Sequence, residues 1–321
     1  MSVKEKIKIT IGITCFNSQS TIIRALQSAY DQNWNNKEIL VVDDASYDDS
    51  TKLIKEFFSG KKNHDYKLFI NEKNYGVGYA RQKILENASG DFIAFFDDDD
   101  KSLSSRIKLQ YEKIREYEKL TNTQNILCYC SGIRQYSSGY TMNLDAIASN
   151  GKFINGEDVV DYLLFFKRNK NNFFGTGTPA CSLMARKKIL LNVGGFDKDL
   201  RRVEDIDLAI KVGISGGIFI GTQDRLFVQF STQSNDKTAS KNLLNEQLLV
   251  TKNKVYLESK SMFLYALYWP KLRYAHFTKN YWLLIKTFIF LISLNPLKTI
   301  QHFSYSASKR LFHEFRIRRK N

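Results

Sequence analysis

The sequence predicts an α/β fold: a mostly parallel sheet flanked by helices, followed by a helical C-terminal extension. Three observations lead there. Strand-like and helix-like runs alternate over the first hundred residues, with short turns between them. The strand-like runs are short, apolar and rich in β-branched residues, as strands covered on both faces are. After about residue 240 the chain changes character and becomes helical, aromatic and basic. A length of 321 residues with 43% hydrophobic and 25% charged residues allows a sizeable core plus an appendage, and excludes disorder or a small disulfide scaffold. The expected division is an α/β domain over 1–240 and a helical extension over 241–321.

In order, KITIGIT reads as the first strand, and NSQSTIIRALQSAYDQ as a helix with Asn17, Ser18 or Ser20 as its cap. KEILVVDD is a buried strand, DDSTKLIKEFFS a helix and KLFINE a strand. GVGYARQKILENAS is a helix closed by Gly90, and DFIAFFDDDD a fourth strand running into four carboxylates. SRIKLQYEKIREYEKL is an amphipathic helix and NILCYCSGIRQYS another strand. The stretch from Gly139 to Gly156 reads as loop, and EDVVDYLLFFKR as helix. GTGTPACSLMARKKILLNVGGFD gives a glycine-rich turn, a strand, a short helix and a further turn. EDIDLAIKVGIS is a helix with acids in its first turn, which suits the helix dipole. IFIGTQDRLFVQF supplies one or two closing strands.

Composition narrows the function. The N-terminus, MSVKEKIKITIGIT, has no apolar run of signal-peptide length, so a cytoplasmic location is expected. The four cysteines form no C-x-x-C pair and the four histidines never fall at zinc spacing. Net charge is +15, but the chain from Lys271 onward holds eleven Lys/Arg against one acid, Glu314. The basicity therefore belongs mainly to the tail, which argues against a nucleic-acid-binding body and for an anionic surface as the tail's partner. YWLLIKTFIFLISL, at fourteen residues, is too short to span a bilayer, for which roughly 20 are needed. With flanking Tyr, Trp and basic residues, and the basic end HEFRIRRKN, it fits a helix lying at the membrane surface. Packing on the body with a solvated basic end is the alternative.

Three groups of acids could do chemistry. Asp97, Asp98, Asp99 and Asp100 end an apolar strand, where parallel sheets bind ligands. Adjacent carboxylates repel unless a cation offsets them, and hard oxygen ligands favour Mg²⁺ or Mn²⁺. A solvated acidic loop is the plain alternative. Asp43 and Asp44 end a second buried strand, and could equally cap the next helix. Glu204 and Asp205 open a helix, as structural charges or with a general base among them.

Fragments resemble other families. ILVVDDAS looks like a receiver strand, FFDDDD like a haloacid-dehalogenase phosphatase strand, and Gly76-Val77-Gly78 like part of a dinucleotide fingerprint whose third position holds Arg81. The order of all the pieces resembles family 2 glycosyltransferases of the GT-A fold, inverting enzymes that use nucleotide-diphospho sugars. ITIGITCFN, SAYDQNWNNKEILVVDDASYDDS, NYGVGYARQKILENASGDFIAFFDDDD, GGFD and EDIDL follow one another from about Lys8 to Ser234. The departures are Ile13 where the family usually has Pro, Asp98 where a small residue is commoner, and Lys211 in place of Arg.

The resemblance implies roles residue by residue. Thr14 and Phe16 would lie beside the nucleotide, Asp44 with neighbouring Asp43 would meet the uracil, and Arg81 would sit near the nucleotide-sugar. Asp97 and Asp99 match the D-x-D acids, around Asp98, with Asp99 the ligand for Mn²⁺ or Mg²⁺. Asp205 matches the catalytic base. Gly195, Phe196 and Asp197, with Glu204, would border the acceptor side. The implied reaction moves a sugar from a UDP-sugar to a saccharide acceptor, lipid-linked as the tail suggests, in bacterial surface polysaccharide or lipopolysaccharide synthesis at the inner face of the membrane. A catalytically silent nucleotide-sugar-binding module is the alternative.

Overall fold

The computed structural model describes residues 7–61, 65–231 and 238–318, with side chains described as far as 307. The chain runs β1 (Ile9–Cys15), α1 (Ile22–Tyr30), β2 (Lys37–Asp43), α2 (Ser50–Ser59), β3 (Asp65–Ile70), α3 (Val77–Asn87) and β4 (Phe92–Asp97). β5 (Lys101–Ser102), α4 (Arg106–Thr121), β6 (Ile126–Gln135), β7 (Thr141–Leu144), β8 (Ile154–Asn155) and α5 (Gly156–Phe165) follow. A 3₁₀ turn at Ala180–Ser182 leads into β9 (Leu183–Arg186), α6 (Lys187–Asn192), α7 (Glu204–Ile214) and β10 (Ile218–Phe230). The remainder is helical: α8 (Ala239–Lys252), α9 (Lys254–Ser259), α10 (Phe263–Phe277), α11 (Tyr281–Leu294) and α12 (Pro296–Arg318).

The sheet order is β3-β2-β1-β4-β9-β6-β10-β5, with β7 on β6 and β8 on β10. β3, β2, β1 and β4 are parallel, β9 is antiparallel to β4 and to β6, and β6 is parallel to β10. The chain thus builds outward from β1 to β3, then returns to the other side of β1. That reversal opens a crevice at the carboxyl ends of β1 and β4. The register puts acids there: Thr14 pairs with Asp97 and Cys15 with Asp43. Fully buried Ile9, Ile11, Ile13, Phe92, Ala94 and Ile107 hold these strands in one core. At about 25 cal/mol per Å², such burial stabilises the sheet by roughly 1.5–3 kcal/mol per large side chain.

One difference from the sequence reading has a local cause. The 139–156 stretch, read as loop, contains β7 and β8, too short and too exposed to show a periodic pattern. Of the one or two closing strands expected in IFIGTQDRLFVQF there is one, of thirteen residues, with irregularities between Gly221 and Phe227.

By internal contacts the chain divides into two compact units. The first comprises 1–135, 141–160 and 169–232, and contains the sheet. The second comprises 136–140, 161–168 and 233–321. In the second unit Asp161, 1% exposed, accepts hydrogen bonds from Tyr256 Oη and Lys167 Nζ, both at 2.7 Å. His302 is stacked between Trp269 and Phe166, with ring centroids 3.4 and 4.0 Å away, and its Nδ1 meets Tyr265 Oη at 3.2 Å. No helix of the described residues is long and apolar enough to cross a membrane. On α11, Trp282, Ile285 and Ile289 are exposed, as are Leu297, Ile300 and Phe303 on α12. The side chains of HEFRIRRKN lie outside the described residues.

Candidate active site

The first loop leaves β1 through Asn17, which adopts a left-handed φ of +49°. Phe16 is thereby turned outward, and its N–H donates to Asp98 Oδ2 at 3.0 Å. The helix expected from Asn17 begins only at Ile22, because this turn and the Ser18 carbonyl, which accepts from Thr21 and Ile22, come first. Exposed Tyr47 meets Phe16 edge-on at 6.1 Å. Thr14 is half-buried at the strand end.

Asp43 and Asp44 face inward. Asp43 accepts from Ser46 N–H at 3.0 Å, Ser46 Oγ at 2.6 Å and the Thr51 hydroxyl, so it shapes the turn into α2. Asp44 accepts from Asn71 Nδ2 at 2.7 Å, Tyr75 N–H at 3.0 Å and Gly76 N–H at 2.7 Å, tethering the loop before α3. Both are buried, so any contact with a base uses a lone pair left over from these bonds.

Arg81 is the joint of the site. It is 6% exposed; its Nη2 donates to Asp97 Oδ1 at 2.9 Å and its Nη1 to Glu204 Oε1. One guanidinium therefore ties the end of β4 to the start of α7. Glu204 and Asp205 are presented by Val203, whose φ of +60° is left-handed and costly for a β-branched residue, about 1–3 kcal/mol. Burial and the adjacent Asp205 push the Glu204 carboxyl up, against Arg81. Burial also raises Asp205, opposed by Arg81 and by the N–H groups of Ile206 and Ala180.

The acidic loop is under electrostatic stress. Burial and the Asp99 charge push Asp98 up to about 7, although Phe16 N–H partly offsets this. Burial and the charges of Asp97 and Asp99 likewise raise Asp100. Asp100 is 5% exposed and neither of its oxygens makes a hydrogen bond of normal geometry. The half-buried Asp99 gives its backbone carbonyl to the Arg24 guanidinium, which lies over the Phe230 ring at 3.8 Å. Ligand atoms of Asp97, Asp100 and Cys181 lie within 4.8 Å of one another. Carboxyls crowded at one strand end, with Asp100 buried among them, suit a bound cation or a retained proton better than a solvated loop does.

The GGFD turn is structural where it is buried. Phe196 packs on Phe95 with centroids 5.1 Å apart, and its N–H donates to Gln82 Oε1 at 2.7 Å. Lys211 donates to the Gly195 carbonyl at 3.0 Å and pairs with Asp207 at 2.7 Å. Gly195 and Phe196 are thus enclosed, while Gly194 is exposed and Asp197 partly open. α3 fits this turn closely: a Cβ on Gly78 would lie 2.4 Å from the Asp197 carbonyl oxygen. Sequence reasoning missed Cys181, Ala180, Arg24, Tyr47 and Phe230. The sheet brings these to the acids across long separations, and no local spacing marks them.

A sheet reversing at β1 and β4, with D-x-D acids at the reversal and a further acid opening a later helix, defines the GT-A glycosyltransferase class. The family model described as glycosyl transferase family 2 matches residues 10–191, more than half of the chain, and the chain belongs to that family. Glycosyltransferase GlyA of Streptococcus pneumoniae is 35% identical over 111 residues, which is 35% of this chain and 16% of that protein. The Escherichia coli protein named UDP-Glc:alpha-D-GlcNAc-diphosphoundecaprenol beta-1,3-glucosyltransferase WfgD is 34% identical over 102 residues, 32% of this chain and 39% of that one. The matches thus span well under half the length of these curated relatives. A crystal structure of S. aureus TarS 1–349 in complex with UDP-GlcNAc aligns with a TM-score of 0.61 at 14% identity, over 91% of this chain and 83% of that one. At that identity the likeness concerns the fold.

Proposed function

We propose that this chain is an inverting glycosyltransferase that moves a sugar from a UDP-sugar to a hydroxyl of a saccharide acceptor. The observation that carries the reading is Arg81, bonded at once to Asp97 and to Glu204, because it holds the D-x-D end of β4 beside Asp205. Asp205 is the base: its carboxylate takes the acceptor hydroxyl's proton during in-line attack, an effect typically worth about 10²–10⁴-fold. Its raised pKa makes it a better proton acceptor at neutral pH than an ordinary aspartate. Phe16 and Tyr47 offer exposed rings where a base can stack. Asp99, with Asp97 and Asp98 around it, would hold Mn²⁺ or Mg²⁺, which neutralises charge on the departing diphosphate when bound.

The acceptor in this reading is lipid-linked, as the printed name of the E. coli relative describes for that protein, and the setting is bacterial surface polysaccharide or lipopolysaccharide synthesis. The exposed apolar residues of α11 and α12, beside exposed Lys279 and Lys286, support docking of the second unit on an anionic membrane surface at the cytoplasmic face. Vesicle flotation tests this: binding to anionic but not neutral vesicles, lost in Trp282→Gln/Ile289→Gln, is expected, and no binding to either sinks it.

Transfer is tested by incubating the protein with Mn²⁺, a panel of UDP-sugars and polyprenyl-diphosphate-linked saccharides, and reading UDP release and the product's anomeric configuration. A β-linked product from an α-linked donor is expected. An α-linked product would overturn the mechanism, and nucleotide binding without turnover would leave a silent binding module.

A further inference from the structure

We propose that Arg201 is a positioning residue for the transfer, a clamp that fixes the loop presenting Asp205 to the loop that Asp44 holds. The inference rests on the donor and base assignments above and adds a residue those assignments do not use. Arg201 Nη1 donates to Asn74 Oδ1 at 2.8 Å, and its Nη2 to the Asn74 carbonyl at 2.7 Å. One guanidinium thus grips the side chain and the backbone of a single residue 127 positions away. A rigid fork used in this way sets orientation as well as distance.

Both ends of the clamp are anchored. On one side, Asp44 accepts from Asn71 Nδ2, Tyr75 N–H and Gly76 N–H, so Asn74 sits in a loop that is already fixed. The Arg201 stem lies against this loop, since a Cβ on Gly76 would be 3.0 Å from Arg201 Cγ. On the other side, Leu200 is fully buried, and a Cβ on Gly78 would be 2.5 Å from its carbonyl oxygen. Arg201 itself is exposed, so replacing it empties no core.

What the clamp supports is the strained residue two positions on. Val203 keeps a left-handed φ of +60°, and a β-branched residue stays there only when its surroundings hold it. Glu204, bonded to Arg81, holds the following side, and Arg201 the preceding one. The Val203 carbonyl accepts the Asp207 N–H at 2.9 Å, a bond in the first turn of α7, from which Asp205 projects. Freed from Asn74, residues 201–203 relax toward an ordinary φ and turn the start of the helix. Asp44 still holds the loop 71–76, so nucleotide affinity is retained while the base loses its aim. A misplacement of about 1 Å costs up to about 10²-fold in rate.

The test compares wild type with Arg201→Ala, Arg201→Lys and a control, Lys198→Ala, in the full chain. The control removes a cation of the same loop, whose exposed pair with Glu86 at 3.0 Å leaves Asn74 untouched. In the ligand-free protein, hydrogen exchange in peptides from the start of α7 should be faster in Arg201→Ala, intermediate in Arg201→Lys and unchanged in the control. In the transfer assay with UDP-sugar and polyprenyl-diphosphate-linked saccharide, Arg201→Ala should lower kcat about 10–100-fold, with the KM for UDP-sugar within about twofold. Arg201→Lys should recover part of that loss. Asn74→Ala should lower kcat less, and not at all once Arg201 is already alanine. Circular dichroism and an unchanged urea midpoint establish that each variant is folded. Unchanged exchange in Arg201→Ala, or a loss confined to KM, overturns the proposal. Failure of the donor reading shows separately, as no UDP binding by folded wild type, and the exchange comparison then decides the clamp.

Discussion

The two units bury titratable groups in opposite ways. In the first, acids converge on the carboxyl ends of β1 and β4, and Arg81 is the guanidinium bonded between two of them. In the second, His302 is closed between two aromatic rings, and burial with nearby Lys298 and Arg273 lowers its pKa to about 2. Both groups are strongly perturbed, yet only the first arrangement reads as a site. Like charges gathered at the carboxyl ends of strands call for a cation or proton transfer. An imidazole sealed in a stack, neutral and bonded to Tyr265, completes a core. Perturbation alone therefore does not mark chemistry, whereas perturbation by crowded like charges at an open crevice does.

The contrast can be broken most directly at Asp205. Asp205→Asn should lower turnover by about 10²–10⁴-fold with the fold intact, measured as UDP release and by circular dichroism. Next in size, Arg81→Met leaves buried Glu204 unpaired and should cost about 3–5 kcal/mol in urea unfolding of the first unit. Gly78→Ala drives a methyl into the Asp197 and Leu200 carbonyls and should cost about 1–3 kcal/mol in the same measurement.

The most gradual effects, read per pH unit, concern titration, and their signs oppose. A carboxyl raised from 3.8 to about 7, as in Asp98, keeps more protons in the folded state between those values. Its contribution is present below 3.8 and lost as pH rises toward 7. A histidine lowered from 6.5 to about 2 contributes above 6.5, and that contribution is lost as pH falls. Asp98→Asn should therefore flatten the loss of stability as pH rises from 3.8 to about 7, and His302→Gln the loss as pH falls below 6.5. Each single-group slope is at most roughly 1.4 kcal/mol per pH unit, read from urea unfolding across pH. Tryptophan fluorescence follows the histidine case, since Trp269 stacks on His302.

How much was legible follows from where the information sits. KEILVVDD and DFIAFFDD announce buried strands because ILVV and FIAFF run unbroken and apolar up to the acids, and those acids mark a strand end without any contact being known. The Glu204–Asp205 pair is legible as a helix start. What the acids do there is not: that Asp44 fastens Asn71 and Gly76, or that Phe196 is sealed against Phe95, depends on turns in three dimensions. Cys181 is the clearest case. It joins Asp97 and Asp100 through an antiparallel register across some eighty residues, which no motif spacing encodes.

The proposed transfer requires a cation-dependent nucleotide-diphosphate site at the acidic end of β4. Calorimetric titration of UDP into the protein, with Mn²⁺ and with a chelator, on wild type and Asp99→Asn, addresses it most directly. Saturable binding with Mn²⁺, abolished by the chelator and by the substitution, is the predicted result. No binding by folded wild type under either condition would overturn the donor site and return these carboxylates to a structural role.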